Sequence, residues 1–248
     1  WEDQLDDISL ELGRGEILGV GGLDGQGQKE LLLALFGVLK DTSGTVQLEG
    51  IPVHVAGPHA AKSDALGLAL VPEDRKTEGL ILSMGIGQNL SLASLHQLSR
   101  NLKVDTATES RRIDAMLSRL QIKIGAVDDP VSSLSGGNQQ KVVLAKWLMT
   151  DPKILLLNDP TRGIDVGTKQ ELYLLLRQLA DAGTSILFYS TDYDELIGLC
   201  DRVLILYQGR IVRQLSGDAI TETNIVGASL NIGTGIEPDV PAVIREAP

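Results

Sequence analysis

Cysteine is nearly absent from this chain: Cys200 is the only one among 248 residues. A disulfide framework is thereby excluded. A lone thiol between Leu199 and Asp201, next to a predicted strand, reads as a small buried hydrophobe rather than a reactive group. Long apolar runs are missing as well; stretches such as Ile154 to Leu157 fall far short of the ~20 residues that cross a bilayer. No basic n-region, apolar h-region and cleavage site opens the sequence, so export is not expected and a reducing compartment is. The first residue is Trp1 with no Met before it, as in a portion cut from something longer. Basic residues are in deficit: 22 Lys and Arg stand against 33 Asp and Glu, a net charge of −11. That balance speaks against a phosphate-backbone binder, so no nucleic-acid partner is expected. Hydrophobic residues at 43% and charged ones at 22% are ordinary globular usage and leave ample material for a core.

The pattern along the chain predicts strands at Ile8 to Leu12, Glu16 to Val20, Thr45 to Leu48, Leu68 to Val71, Ile154 to Leu157, Ser185 to Tyr189 and Val203 to Leu206. Helical patterns alternate with them, which predicts parallel strands joined by crossover helices. Between about Glu78 and Leu148 the strand signals vanish. There Ile113, Met116, Leu117 and Leu120 recur at helical spacing, predicting an inserted helical subdomain whose stripe faces a core. The expected layout is a domain over 1–230, with core segments 1–77 and 149–230 and the helical part at 78–148, followed by a poorly ordered tail at 231–248.

A glycine cluster, Gly22-Leu-Asp-Gly25-Gln-Gly27-Gln28-Lys29, lies between a predicted strand and a predicted helix. In that context backbone amides can turn toward phosphate. A working phosphate loop reads G-x-x-x-x-G-K-[ST], its Lys meeting the terminal phosphates and its hydroxyl holding Mg²⁺. Gln28 and Lys29 occupy those two positions here. Lys29 comes one helical position late and so points about 100° away. Losing both groups removes electrostatic support that phosphoryl transfer needs. The spacing of Gly21, Gly25 and Gly27 also resembles the cofactor turn of short-chain dehydrogenases, but none of the tyrosines begins the Tyr-x-x-x-Lys that accompanies it.

Farther on, Leu134-Ser135-Gly136-Gly137-Asn138-Gln139 precedes a helical run at Gln140 to Met149, so Ser135 and two glycines present amides at a helix N-terminus. The stretch resembles the signature of ABC ATPases, in the variant seen in carbohydrate importers. Ile154-Leu-Leu-Leu-Asn158-Asp159-Pro-Thr161-Arg-Gly-Ile-Asp165 resembles the Walker B strand and D-loop of the same family, and Val71-Pro-Glu73-Asp-Arg-Lys-Thr-Glu-Gly79-Leu resembles its Q-loop region. The resemblance runs from about Ile8 to Ser216. It implies an α/β P-loop NTPase-like ABC ATPase core with a parallel sheet, an antiparallel β part and an inserted helical subdomain.

Residue by residue, the resemblance implies a nucleotide site at Gly22, Gly25, Gly27, Gln28, Lys29, Glu73 and Asn158. Asp159 stands at the catalytic Glu position and Thr191 at the switch His position. Asn lacks the charge that Mg²⁺ needs, and Asp is a methylene shorter than Glu, a misplacement of ~1.5 Å that costs ~10²-fold by positioning arguments. None of His54, His59 and His96 stands at the switch position, and no metal-ligand set is assigned. The chain resembles the second, degenerate half of a sugar-importer ATP-binding subunit of the ribose, galactose or xylose type. That implies ATP bound weakly or through a partner half, doubtful Mg²⁺ at its own site, and Ser135, Gly136, Gly137 and Asn138 donated to the opposite site. Implied partners are a first-half ABC domain, a membrane permease reached through Glu73 to Leu90, and a sugar-binding protein. The implied location is the cytoplasmic face of the cell membrane. Two alternatives stay open: an ATPase that works alone, and a pseudo-ATPase scaffold outside transport.

Overall fold

Five consecutive buried residues make Ile17–Gly21 the strand β1. A strand with no polar residue has no face to offer water, so it belongs inside a sheet covered on both sides. The computed structural model, which describes residues 5–40, 42–100 and 103–232, places it there. β1 leads through the glycine loop into α1 (Gln28–Leu35). A hairpin of β2 (Val46–Leu48) and β3 (Ile51–Val53) follows, then the short helix α2 (Pro58–Ala61) and β4 (Leu68–Val71). Past a π-helical turn at Arg75–Gly79 come α3 (Ile86–Ser91), α4 (Leu95–Leu98), the strands β5 (Ser99–Arg100) and β6 (Lys103–Val104), α5 (Thr106–Arg119) and α6 (Gly136–Leu148). The chain returns to the sheet as β7 (Ile154–Asn158), α7 (Val166–Asp181), β8 (Ser185–Tyr189), α8 (Tyr193–Leu199), β9 (Arg202–Tyr207) and β10 (Arg210–Ser216), and α9 (Glu222–Ser229) follows.

The main sheet runs β10-β9-β1-β8-β7-β4. Its pairs are parallel except β10 with β9, which is antiparallel. β1, β4, β7 and β8 therefore end on one edge, and the segments leaving that edge carry the glycine loop, Glu73, Asn158 and Thr191. Successive strand residues face opposite sides. Ile17, Val71, Leu155 and Phe188 join one apolar cluster with Ile86, Leu90, Ile113 and Leu144 of the helical region. Leu18, Leu70, Leu156 and Leu187 join the other with Leu32 and Phe36.

The structure corrects the sequence reading in three places. Residues 8–12 form no strand; Ile8, Leu10 and Leu12 do alternate inward and pack on the second cluster, but the carbonyl of Glu11 is taken by the Arg202 guanidinium at 2.8 Å. Alternation reports which side faces the core, not which backbone pairs. The helical region holds the hairpin β5–β6, whose two-residue strands are too short to show a period. α6 begins at Gly136, four residues before the apolar run, because Ser135 accepts the Asn138 N–H as an N-cap. Two burial expectations hold: Ile113 and Leu120 are buried, and His54, His59 and His96 are exposed. Cys200 is buried, with its sulfur against Gly19, where an added Cβ would come within 2.8 Å, and burial raises its thiol pKa. Trp1 and most of the expected tail lie outside the described residues.

Candidate functional site

The glycine loop leaves β1 with Gly22 at φ 133, where a Cβ would fall 2.4 Å from the Leu206 carbonyl oxygen of β9. Only glycine permits both that angle and that approach. Gln28 opens α1 and is 1% exposed, with its side chain folded back into the loop. Its Nε2 donates to the Leu23 carbonyl at 2.9 Å, and its Oε1 accepts the Gln26 N–H at 3.0 Å. Gln26 is fixed in turn, its Oε1 accepting from Gln208 N–H at 2.7 Å and its carbonyl from Gly209 N–H at 3.0 Å. The loop is thus closed on itself by its own side chain, and an amide that could face an anion is already used. Lys29 points elsewhere, toward Glu73 Oε2 at 3.7 Å and Glu78 Oε1 at 3.8 Å.

Asn158 ends β7 fully buried, and its Oδ1 has no hydrogen-bond partner among the described residues. It is an acceptor able to hold a water but offers a cation no charge. Asp159 follows at φ 45, a strained angle for a residue with a side chain, and accepts the Thr191 hydroxyl at 2.8 Å. Burial raises the Asp159 pKa; the Thr191 bond opposes that, and the nearby Glu195 charge adds to it. Glu73 is bound by both Arg162 and Lys29, which draws together the segments after β4, β7 and the glycine loop.

Ser135 to Asn138 stand apart on the first turn of α6. The Asn138 side-chain amide also donates to Ser135 Oγ at 3.3 Å. Gly137 is buried, and a Cβ there would meet Thr168 Oγ1 at 2.6 Å. Arg75 joins this turn to the rest: its Nη1 donates to the Arg162 carbonyl at 3.3 Å, and its Nη2 lies 3.0 Å from where a Cβ on Gly136 would stand. A cavity of about 340 Å³ opens beside it, lined by Glu73, Asp74, Arg75 and Arg162.

The family model described as ABC transporter matches residues 5–162. The chain belongs to the ABC transporter family. Among curated relatives of this ABC domain, the ribose import ATP-binding protein RbsA 1 of Rhizobium johnstonii is 62% identical over 94% of the chain and 45% of its own length. The xylose import ATP-binding protein XylG of Pseudomonas syringae pv. tomato is 45% identical over 92% of the chain and 43% of its own length. The chain thus spans a little under half the length of these relatives. A nucleotide-free ATP-binding cassette from an ABC transporter superposes with a TM-score of 0.77 at 20% identity, covering 93% of each chain, which shows a shared fold. The ABC ATPase fold expected from the motifs is therefore the fold found.

Some residues of the ABC domain's site escaped the sequence reading. Asp24 places a carboxylate inside the glycine loop and accepts the Tyr189 hydroxyl at 3.2 Å. Burial, then the Asp24 charge, raises the Tyr189 pKa. Asp24 lies within the Gly22–Lys29 loop, but the phosphate-loop pattern leaves its position unspecified. Arg75, Glu78, Arg162 and Glu195 carry no local signal, since their partners come from distant segments. No described helix is long and apolar enough to cross a membrane.

Proposed function

We propose that this ABC domain is the second half of a sugar importer's ATP-binding subunit and serves chiefly to complete the nucleotide site of a first-half partner. The observation that carries this reading is a contrast within one chain. The signature turn is capped at a helix N-terminus with Ser135 exposed, Gly136 half-buried and Gly137 packed beneath them, while the glycine loop is occupied by Gln28. In the head-to-tail pairing of ABC domains, the first feature serves the opposite site and the second forms this domain's own.

The domain's own residues do not fit a magnesium–nucleotide centre of the hydrolytic kind. Gln28 uses the loop amide, Lys29 is turned to Glu73 and Glu78, Asp24 adds a carboxylate to the loop, and Asn158 is neutral. ATP at this site is bound weakly, or held without hydrolysis. Asp159 is the base that remains, and its carboxylate is committed to Thr191. The relatives named for ribose and xylose import support a sugar as cargo, with a permease and a sugar-binding protein completing the system. Closure of the domain pair reaches the permease through the segment from Glu73 to Leu90. The assembly sits on the cytoplasmic face of the membrane, with no nucleic-acid role.

The test is ATP binding and turnover by this domain alone, then with its first-half partner, then with Ser135→Arg in the mixture. Turnover is expected only in the mixture and is lost with Ser135→Arg. In the same assay Gln28→Lys with Lys29→Ser raises nucleotide affinity of the lone domain by about tenfold or more without conferring turnover, since Asn158 is unchanged. Robust turnover by the unaltered domain alone would overturn the reading.

A further inference from the structure

Glu195 lies in the first turn of α8 and is 3% exposed. A carboxylate taken out of water is costly unless its lone pairs and its charge are met. Here both oxygens are doubly occupied. Oε2 accepts from Thr161 Oγ1 at 2.7 Å and Ser190 Oγ at 2.6 Å. Oε1 accepts from Lys169 Nζ at 2.7 Å and from the Tyr173 hydroxyl at 2.7 Å. Lys169 also reaches Asp192 Oδ2 at 3.0 Å, and the backbone N–H of Asp192 donates to Ser190 Oγ at 3.0 Å. Burial lowers the Lys169 pKa, but the bonds to Glu195 and Asp192 outweigh it and raise the pKa overall, which keeps the cation charged.

The donors fall into two kinds. Lys169 and Tyr173 come from α7 and neutralise and anchor the carboxylate. Thr161 and Ser190 come from the turns after β7 and β8, the same turns that carry Asp159 and Thr191. Thr161 stands two residues beyond Asp159, and Ser190 immediately precedes Thr191. The Asp159–Thr191 bond and the Thr161–Glu195–Ser190 bridge are therefore two rungs between one pair of turns. Between them they hold Asp159 at its left-handed angle.

We propose that Glu195 is a positioning residue that clamps the turn at 159–165 to the turn at 190–192. On the signature-donor reading above, on which this rests, the clamped turn backs the signature turn presented to the opposite domain's nucleotide: Arg75 bridges the Arg162 carbonyl to Gly136, and the Gly163 carbonyl lies behind Gly136. The clamped turn's shape is then set from behind by a buried charge, with no nucleotide of its own required. The arms of the clamp are unequal: the Thr161 arm holds the 159–165 turn, whereas the Tyr173 arm only ties Glu195 to α7.

The experiment compares Thr161→Val with Tyr173→Phe in the complete ATP-binding subunit, each removing one donor to Glu195 without changing shape. Amide hydrogen exchange reads the turns directly. Thr161→Val is expected to speed exchange across 159–165 and 190–192, Tyr173→Phe is not, and Thr161→Ser restores protection. In steady-state turnover Thr161→Val lowers kcat about tenfold with KM for ATP little changed, as loss of an interaction made in the transition state does. Tyr173→Phe leaves kcat within about twofold. Unchanged exchange in Thr161→Val, or equal effects of the two variants on exchange and kcat, would overturn the clamp. Ser135→Arg in parallel separates the two claims: if it leaves turnover intact the signature-donor reading fails, while the exchange data still decide the clamp.

Discussion

Lys146 shows how much a single buried charge constrains this molecule. It lies on α6, is 8% exposed, and its Nζ donates to the Gly79 carbonyl at 2.5 Å beside the face of Trp147. Gly79 ends the π-helical turn that follows Glu73, so the lysine ties the signature helix to the segment proposed to reach the permease. Burial pulls its pKa down to about 8 from the usual 10.5. The folded pKa is the lower one, so between about 8 and 10.5 the unfolded chain binds more protons and stability rises with pH. Below that window the folded state carries the full cost of a buried ammonium. Comparing denaturant unfolding of the wild type and Lys146→Met isolates this group from every other lysine. Relative to the variant, the wild type is expected to gain about 2 kcal/mol between pH 7 and pH 10. A difference between the two proteins that is flat across this range would mean Lys146 titrates normally and the Gly79 contact is reached from water.

At the scale of elements, the N-termini of α6 and α7 abut. Asp165 caps α7, taking the Thr168 N–H at 3.0 Å and the Thr168 hydroxyl at 2.8 Å, and those bonds hold its carboxyl below the usual range. Thr168 is thereby fixed against Gly137, so the second signature glycine has a packing reason as well as any role toward nucleotide. Gly137→Ala should destabilise by roughly 1–3 kcal/mol, the cost of overpacking, although helix propensity alone would favour Ala by about 1. Thr168→Ala should remove most of that loss, and Thr168→Ser less of it, because the hydroxyl at 2.6 Å makes the closest approach, ahead of the methyl at 3.0 Å. Strict additivity in the double-mutant cycle would show that the two helices do not meet there. The same elements mark what the sequence made legible. Leu68 to Val71 and Ser185 to Tyr189 were readable to the residue because parallel strands buried on both faces are near-continuous apolar runs, even β4 at the sheet edge. The order of the site's turns was readable because each motif sits at a strand end. Gln28 closing its own loop and Glu195 buried under four donors were not, since a polar residue's type does not announce that distant segments will enclose it.

The whole molecule is built so that its helical region and its sheet share one interior. Ile113 and Leu120, from α5 and just beyond it, lie in the same apolar cluster as Ile17, Leu155 and Phe188 of the sheet. α6 passes between the two parts, and its Trp147 packs edge-on against Phe36 with ring centroids 5.5 Å apart and planes at 89°. The Phe36 ring against Trp147 belongs to the cluster that does not contain Ile113, so Trp147 fluorescence in a Trp1→Phe background reads the packing of that far face of the sheet. If the interior is continuous, removing apolar volume in the helical region must weaken the sheet as well. Ile113→Ala, a cavity mutation in α5, is expected to cost about 2–5 kcal/mol. It should move the Trp147 fluorescence midpoint and the far-ultraviolet circular dichroism midpoint together. Coincident transitions in both proteins would establish one cooperative unit, through which the proposed closure of the domain pair would pull on the helical region without slack. A variant whose circular dichroism loses a first, separate phase while Trp147 keeps its midpoint would instead make the helical region an independently melting body, and motion would then reach it only through Glu73 to Leu90.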